Sequence, residues 1–356
     1  MRSPCVAVLS TKPKTVIRDY ARLMELAEYK KSISKRRELA LKLNLSWSLY
    51  YPACSTEPWQ LEGVLAKMKA DGYKKILPVE NKTVVTNPWK GARQNKWLPI
   101  IEKHGLKFQP LTDVSWSVYT PKADTPAIDA IFPEGLKIPD MFRGKDVMHL
   151  PTQKCHGHTT ITGSMKNAFG GLITERRHHS HKMIHGVLVD LLAIQKEIHP
   201  GIFTVMDGTV AGNGAGPRTM EPVIKNNILA SSDSVAVDAV SAKMMGFDPM
   251  KIPFIKIAHD KGLGCGDISQ IDIVGKSIKN VNYRFHTGKS PVVFWDQMFR
   301  KKLPFIEPLL FHTPLFRLCV LGSALYHDNL WYPLIGKRKI RAFEKTEWGT
   351  LFQKYA

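Results

Sequence analysis

Leu39-Ala40-Leu41-Lys42-Leu43-Asn44-Leu45, then Ser55-Thr56-Glu57-Pro58, then Lys75-Ile76-Leu77-Pro78-Val79: these three passages decide the fold. The first is an apolar run of strand length. The second offers a helix cap with proline at the helix start, and Leu61, Leu65 and Met68 recur at helical spacing until Asp71-Gly72 stops the helix. The third resumes as a strand. Strand, helix and strand in this order predict a βαβ unit, whose two strands run parallel because the connection is long enough to cross over. Open α/β sheets bind ligands at the carboxyl ends of their strands, and helix N-termini attract anions. Lys42, Asn44 and Thr56 are therefore candidate ligand-binding residues.

The alternation extends in both directions. Residues 5–9 read as a first strand, 147–151 as another, and 202–206 as a buried strand ending at Asp207-Gly208. Ser231-Ser232-Asp233 supplies caps for a helix in which Val237, Val240 and Met244 form an apolar stripe and Gly246 marks the end; Asp238 sits inside it, in a supporting role. The predicted class is α/β: an open, mostly parallel sheet flanked by helices over residues 1–285, with a C-terminal basic and apolar appendage over 286–356. Residues 80–145, punctuated by Asn87-Pro88 and Trp97-Leu98-Pro99, form a loop-rich insertion or lid, with Trp89, Trp97 and Trp116 filling gaps.

The chemistry concentrates in residues 150–171, where small residues surround Lys154, His156, His158, Thr160, Lys166 and Asn167. Continued extension would put His156 and His158 on one face, able to share a proton or a divalent metal. Lys166, desolvated by Met165 and Phe169, is a candidate proton acceptor or an anion-neutralising charge. Asp207, at a strand end, is placed to hold Lys166, a sugar hydroxyl or a metal. The glycine-rich run Gly208, Gly212, Asn213 and Gly214 reads as a loop that cradles an anion with main-chain donors; it lacks the Gly-Lys-Ser or Gly-Lys-Thr of a Walker loop. Further on, Arg176-Arg177-His178-His179-Ser180-His181-Lys182-Met183-Ile184-His185 puts His178, His181 and His185 on one helical stripe. No acidic or cysteine ligand joins them, so a basic helix start at the pocket is preferred to a zinc site.

Lys154-Cys155-His156, Thr159 and Met165-Lys166-Asn167-Ala168-Phe169-Gly170 resemble the domain-of-unknown-function family 362. Three other passages agree in order: Leu41 to Leu45, Met206-Asp207-Gly208 through Gly212 to Pro217, and the helix from Asp233 to Gly246-Phe247-Asp248-Pro249. The resemblance covers residues 35–277. It implies a cleft gathering these segments and, through relatives that carry a ferredoxin-like module with two iron–sulfur clusters, redox chemistry on a small metabolite. This chain departs there. Cys5, Cys54, Cys155, Cys265 and Cys319 are scattered, without a Cys-x-x-Cys, so neither a cluster motif nor a disulfide framework is written and a reducing cytosol fits best. Cys155 and Cys265 are the thiols to test for reactivity.

The 356 residues carry 51 Lys and Arg against 31 Asp and Glu, a formal charge of +20, which favours anionic partners. No reader motif supports nucleic acid. The N-terminus lacks the pattern of a signal peptide, and no apolar run is long enough to span a bilayer. Beyond residue 285, Phe299-Arg300-Lys301-Lys302-Leu303-Pro304-Phe305, Leu315 to Leu321, Trp331-Tyr332-Pro333 and Lys337-Arg338-Lys339 mix apolar and basic clusters. Such a segment could lie on an anionic membrane surface, dock on a redox partner or fold back on the main domain. The expected function is enzymatic: acid–base or redox chemistry, of oxidoreductase or isomerase type, on a small anionic metabolite. Lys166, His156, His158 and Asp207 are its catalytic candidates, and the cofactor is undetermined, a divalent metal included. The alternative is a non-catalytic docking or accessory protein for a redox partner or membrane surface, and under either reading the expected location is cytoplasmic, with a peripheral place at the membrane open.

Overall fold

A computed structural model describes residues 3–174, 177–303, 305 and 307–355. Arg176 and Pro304 lie outside them. The strands in chain order are β1 (Cys5–Ser10), β2 (Leu39–Lys42), β3 (Ile76–Glu80), β4 (Gln109–Pro110), β5 (Trp116–Tyr119), β6 (Leu136–Pro139), β7 (Asp146–His149), β8 (Thr152–His156), β9 (Thr160–Ile161), β10 (Ile202–Ala215), β11 (Thr219–Ser231) and β12 (Asp272–Gly275). The main sheet has the order β12-β1-β11-β10-β7-β2-β3-β4, with β8 on the far half of β10 and β9 folded back on β8. Along that path β11 alone runs against its neighbours, so the sheet is mixed and mostly parallel, as expected.

The βαβ unit forms as read. Leu39 pairs with Ile76 and Lys42 with Val79, and the helix Pro58–Ala70 crosses between the strands. All four β2 residues are buried, because helices cover both faces of the sheet. Leu39 and Leu41 join the core layer of Tyr20, Leu23 and Trp59, while Ala40 joins the opposite layer with Leu188 and Val237. This is the two-residue alternation of a strand.

The cap read in Ser55-Thr56-Glu57-Pro58 forms, with Glu57 capping the helix Pro58–Ala70 in a capping box with Gln60. One local expectation is corrected. The segment 208–214 is not a free loop. Strand β10 continues through it to Ala215, pairing Gly212 with Pro222 and Asn213 with Glu221 in a long hairpin with β11. Glycine serves close packing there, since a Cβ on Gly212 would stand 2.9 Å from that of Lys154 on β8.

Residues 286–355 pack back on the α/β body. Trp47 donates its indole hydrogen to Asp328 at 2.7 Å and meets Trp331 and Tyr332, Trp348 packs on Trp59, and Phe352 stacks on Tyr50 with centroids 3.8 Å apart. A π-helical stretch, Leu325–Gly336, lies within this segment. Of residues 80–145, Glu80 and Thr83, Val84 and Val85 reach the cavity described next. Trp97 is fully buried and donates to the Thr56 carbonyl, the gap-filling role expected of it.

Candidate functional site

A cavity of about 540 Å³ opens at the carboxyl ends of β2 and β3. Its floor comes from those strand ends, the β8–β9 turn and the helix Ser164–Leu172, and its roof from residues within 291–299 and 311–326.

Asp238 builds the floor from a distance. The helix Ser164–Leu172 has no side-chain cap of its own, and the buried Asp238 carboxylate accepts its first amides, Ser164 N at 2.7 Å and Met165 N at 3.0 Å. Gly163 admits that carboxylate, because its Cβ site is occupied by Asp238. Arg177 closes the other end, donating from Nη2 to Gly170 O at 2.8 Å and from Nε to Ile173 O at 3.1 Å. Lys166 lies on this doubly tied helix.

Most cations around the cavity are already engaged. Lys42 Nζ donates to Glu80 Oε1 at 2.7 Å and to Leu43 O at 2.6 Å; burial pushes the lysine down and the carboxyl up. Lys154, pushed down to about 8 by burial, lies beneath the floor and donates to Asn44 Oδ1 at 2.6 Å. Asn44 in turn contacts Asn167, which donates to the Lys42 carbonyl at 3.1 Å. Lys166 differs: among the described residues its ammonium has no hydrogen-bond acceptor or ion-pair partner. It sits 5.3 Å over the Phe169 ring, and burial, then the charges of Arg177 and Lys154, push it down to about 7.

Four imidazoles, those of His156, His158, His178 and His181, line the same space. His156 and His158 have centroids 5.8 Å apart, and His158 and His181 are 4.9 Å apart. His156 Nδ1 accepts the His158 amide at 3.1 Å, which leaves Nε2 to carry the proton of the neutral ring. Burial first, with the Lys166 charge next, pushes His156 well below the usual histidine range; burial and His158 do the same to His181. Neutral imidazoles beside a lysine that titrates near 7 form a proton-transfer set suited to neutral pH.

Of the sequence-predicted residues, Lys42, Asn44, His156, His158, Lys166 and Asn167 therefore meet at one cavity. The others do not. Asp207 is mid-strand rather than at a strand end, and alternation along β10 sends its side chain to the opposite face from Met206. There it accepts from Tyr20 Oη at 2.5 Å, Trp59 Nε1 at 3.0 Å and Thr209 Oγ1 at 2.8 Å. It does not face Lys166. Thr56 is buried as a brace, accepting Asn44 N and donating to Leu150 O, both at 2.8 Å. Asn213 accepts His286 N at 2.9 Å and so anchors the start of the appendage, while Thr160, Gly208, Gly212 and Gly214 lie away from the lining.

The histidine-rich run starts as a 3₁₀ turn, His179–Met183, before the helix Ile184–Ile198, so the single α-helical stripe does not form. His181 reaches the cavity, His178 stacks on Phe316, and His185 stacks on Phe254. Among the described residues no three His, Cys, Asp or Glu side chains are grouped to hold a metal ion. Burial pushes the Cys155 thiol up to about 11, the reverse of an activated thiol, and raises Cys265 as well. Sequence reasoning missed Glu80, Arg218 and Asp296. Glu80 ends β3 beside the end of β2, so the βαβ register contained the signal for it; Asp296, 3.6 Å from His158, had none.

Residues 39–243, more than half of the chain, match the family described as "Domain of unknown function (DUF362)". The chain belongs to this family. The matched segment holds the DUF362 floor of the cavity, from Lys42 through Arg218, whereas the roof lies outside it. A protein of Synechocystis sp. described as "Thylakoid-associated protein sll1697" is 30% identical over 121 residues. That alignment takes in 33% of this chain and 37% of the relative. No solved structure gives a significant match.

Proposed function

We propose that this DUF362 protein is an enzyme that binds an acidic ligand over Lys166 and moves a proton on it. The observation that carries the reading is the Lys166 ammonium, on a helix tied at both ends yet free of any partner among the described residues, in a cavity with four imidazoles. Near neutral pH the lysine exchanges between an anion-binding ammonium and a proton-accepting amine, and His156 Nε2–H supplies a donor. Arg218 adds a further cation at the lining, beside Lys42 and Arg177. The oxidoreductase reading inferred from iron–sulfur relatives needs an electron partner; the proton-transfer reading rests on residues of this chain alone. The test is a thermal-shift screen of small phosphates and carboxylates, followed by deuterium uptake from D₂O into any ligand that stabilises the protein. At least one acid should stabilise the wild type and not Lys166→Gln, and should exchange a carbon-bound hydrogen. Equal responses in both proteins would refute the assignment.

A second reading has its own observation. Most exposed large apolar side chains among the described residues lie in 294–335, and Leu318, Leu321, Leu325, Leu330 and Leu334 follow one ridge. Arg317, Lys337, Arg338 and Arg341 stand exposed beside it. We propose that this ridge rests on an anionic bilayer surface, the apolar side chains entering the headgroup boundary and the cations meeting lipid phosphates. No described helix is long and apolar enough to cross a membrane. A thylakoid-associated relative supports attachment from one side.

A further inference from the structure

We propose that the cavity takes an amphipathic anion, an acidic headgroup over Lys166 with an apolar body along the roof. The inference rests on the anion-binding reading above and adds the chemical class of the ligand. Its warrant is the contrast between the two walls. The floor presents Lys166, imidazoles and engaged cations, while the roof presents Val293, Trp295, Phe299, Phe311, Phe316 and Val320 to the same space.

Each simpler ligand leaves one wall unsatisfied. A small hydrophilic anion would answer Lys166 and leave the roof facing water. A neutral hydrocarbon would cover the roof and leave the lysine without a counter-charge. A cavity of about 540 Å³ has room for both a headgroup and a body.

The roof is fixed over the floor by specific contacts. His178 stacks on Phe316 with centroids 3.7 Å apart, Arg300 packs its guanidinium over Phe311 while holding Asp296 at 3.1 Å, and Gln297 donates to Gly157 O at 2.8 Å. The apolar wall is therefore a built part of the site. The lipid surface and the free solution are two sources of the same amphiphile.

Calorimetric titration of the full chain at pH 6.5 with inorganic phosphate, with n-decyl phosphate below its micellar concentration and with n-decanol tests the class. Each methylene moved from water to the roof multiplies affinity about fourfold, so decyl phosphate should bind about a hundredfold more tightly than phosphate even if few carbons are buried. Decanol should bind far more weakly than decyl phosphate. Lys166→Gln should weaken decyl phosphate at least about tenfold, Lys166→Arg should restore most of that loss, and Phe316→Ser should lower decyl phosphate while sparing phosphate. Circular dichroism melts identify variants that fail to fold, and Val293→Ser then replaces Phe316→Ser.

Equal affinity for phosphate and decyl phosphate, with Lys166→Gln abolishing both, would overturn this inference and leave the anion site standing. Decyl phosphate binding that ignores Lys166 would mark partition onto the exposed ridge and overturn it too. No binding of either anion would remove both readings. Decyl phosphate offered in phosphatidylcholine vesicles and as monomer separates the sources: transfer faster from vesicles than the spontaneous release of monomer assigns the membrane, and equal rates assign solution.

Discussion

Lys166 and Asp207 carry opposite lessons about single residues. Both are ionisable groups near the middle of the chain, yet the half-buried Lys166 meets a cavity without a partner and the fully buried Asp207 is closed in by three donors. Asp207→Ala leaves the Tyr20 and Thr209 donors buried and unmatched and Trp59 with Thr209 Oγ1 as its remaining acceptor, and should cost about 3 kcal/mol of stability in urea melts while ligand binding by the folded fraction is retained. Lys166→Met should do the reverse. The folded lysine titrates near 7 against 10.5 for a free side chain. The unfolded chain therefore holds the proton more tightly, and the lysine destabilises the fold below pH 7, a penalty relieved as pH rises from 7 towards 10.5. Lys166→Met should accordingly raise the melting temperature more at pH 6 than at pH 10; a gain that is the same at both would show that the lysine is not desolvated. The residue type and neighbours of Lys166 were legible in the sequence because Met165 and Phe169 lie within one turn of it. The fate of Asp207 was not, because which face of a long strand meets the site depends on the register of β10 with β7 and β8.

The helix Ser164–Leu172 shows how an element is held by residues remote in sequence. Asp238→Ala removes the acceptor of two buried amides and should cost about 2 kcal/mol, with the loss concentrated in hydrogen-exchange protection of residues 164–167. Uniform loss of protection across the sheet would contradict a local capping role. Strand β10 makes the complementary point. Gly212→Ala drives a methyl against the Lys154 side chain and Met220 and should cost about 1–3 kcal/mol, which no flexible loop would show. Helical spacing and strand length made the βαβ unit legible, since both are local. Glycines at 208, 212 and 214 carry a local signal that fits a loop as well as a packed hairpin, and the partner strand decides between them. The 3₁₀ turn at His179–Met183 was hidden for the same reason: His179, and His178 just before the turn, bond the Phe311 carbonyl, 132 and 133 residues away.

At the scale of the molecule, the family segment and the C-terminal segment complete one another, the first supplying charge and the second enclosure. Composition made the basic and apolar character of residues 286–356 legible but not its place, since aromatic contacts such as Trp47 with Trp331 are invisible in the chain order. If the exposed ridge lies on a membrane, the wild type should sediment with phosphatidylglycerol vesicles in 50 mM salt, and Leu318→Asp with Leu325→Asp should reduce the bound fraction about tenfold without altering the melt. Equal sedimentation would discard the ridge as a contact surface. The central claim is that roof and floor together hold one uncompensated lysine largely out of water. Titration of the ¹³Cε signal of Lys166 by NMR in the full chain tests it directly: the account predicts a midpoint near pH 7 that moves upward when decyl phosphate is added, and a midpoint near 10.5, unmoved by the ligand, would contradict it.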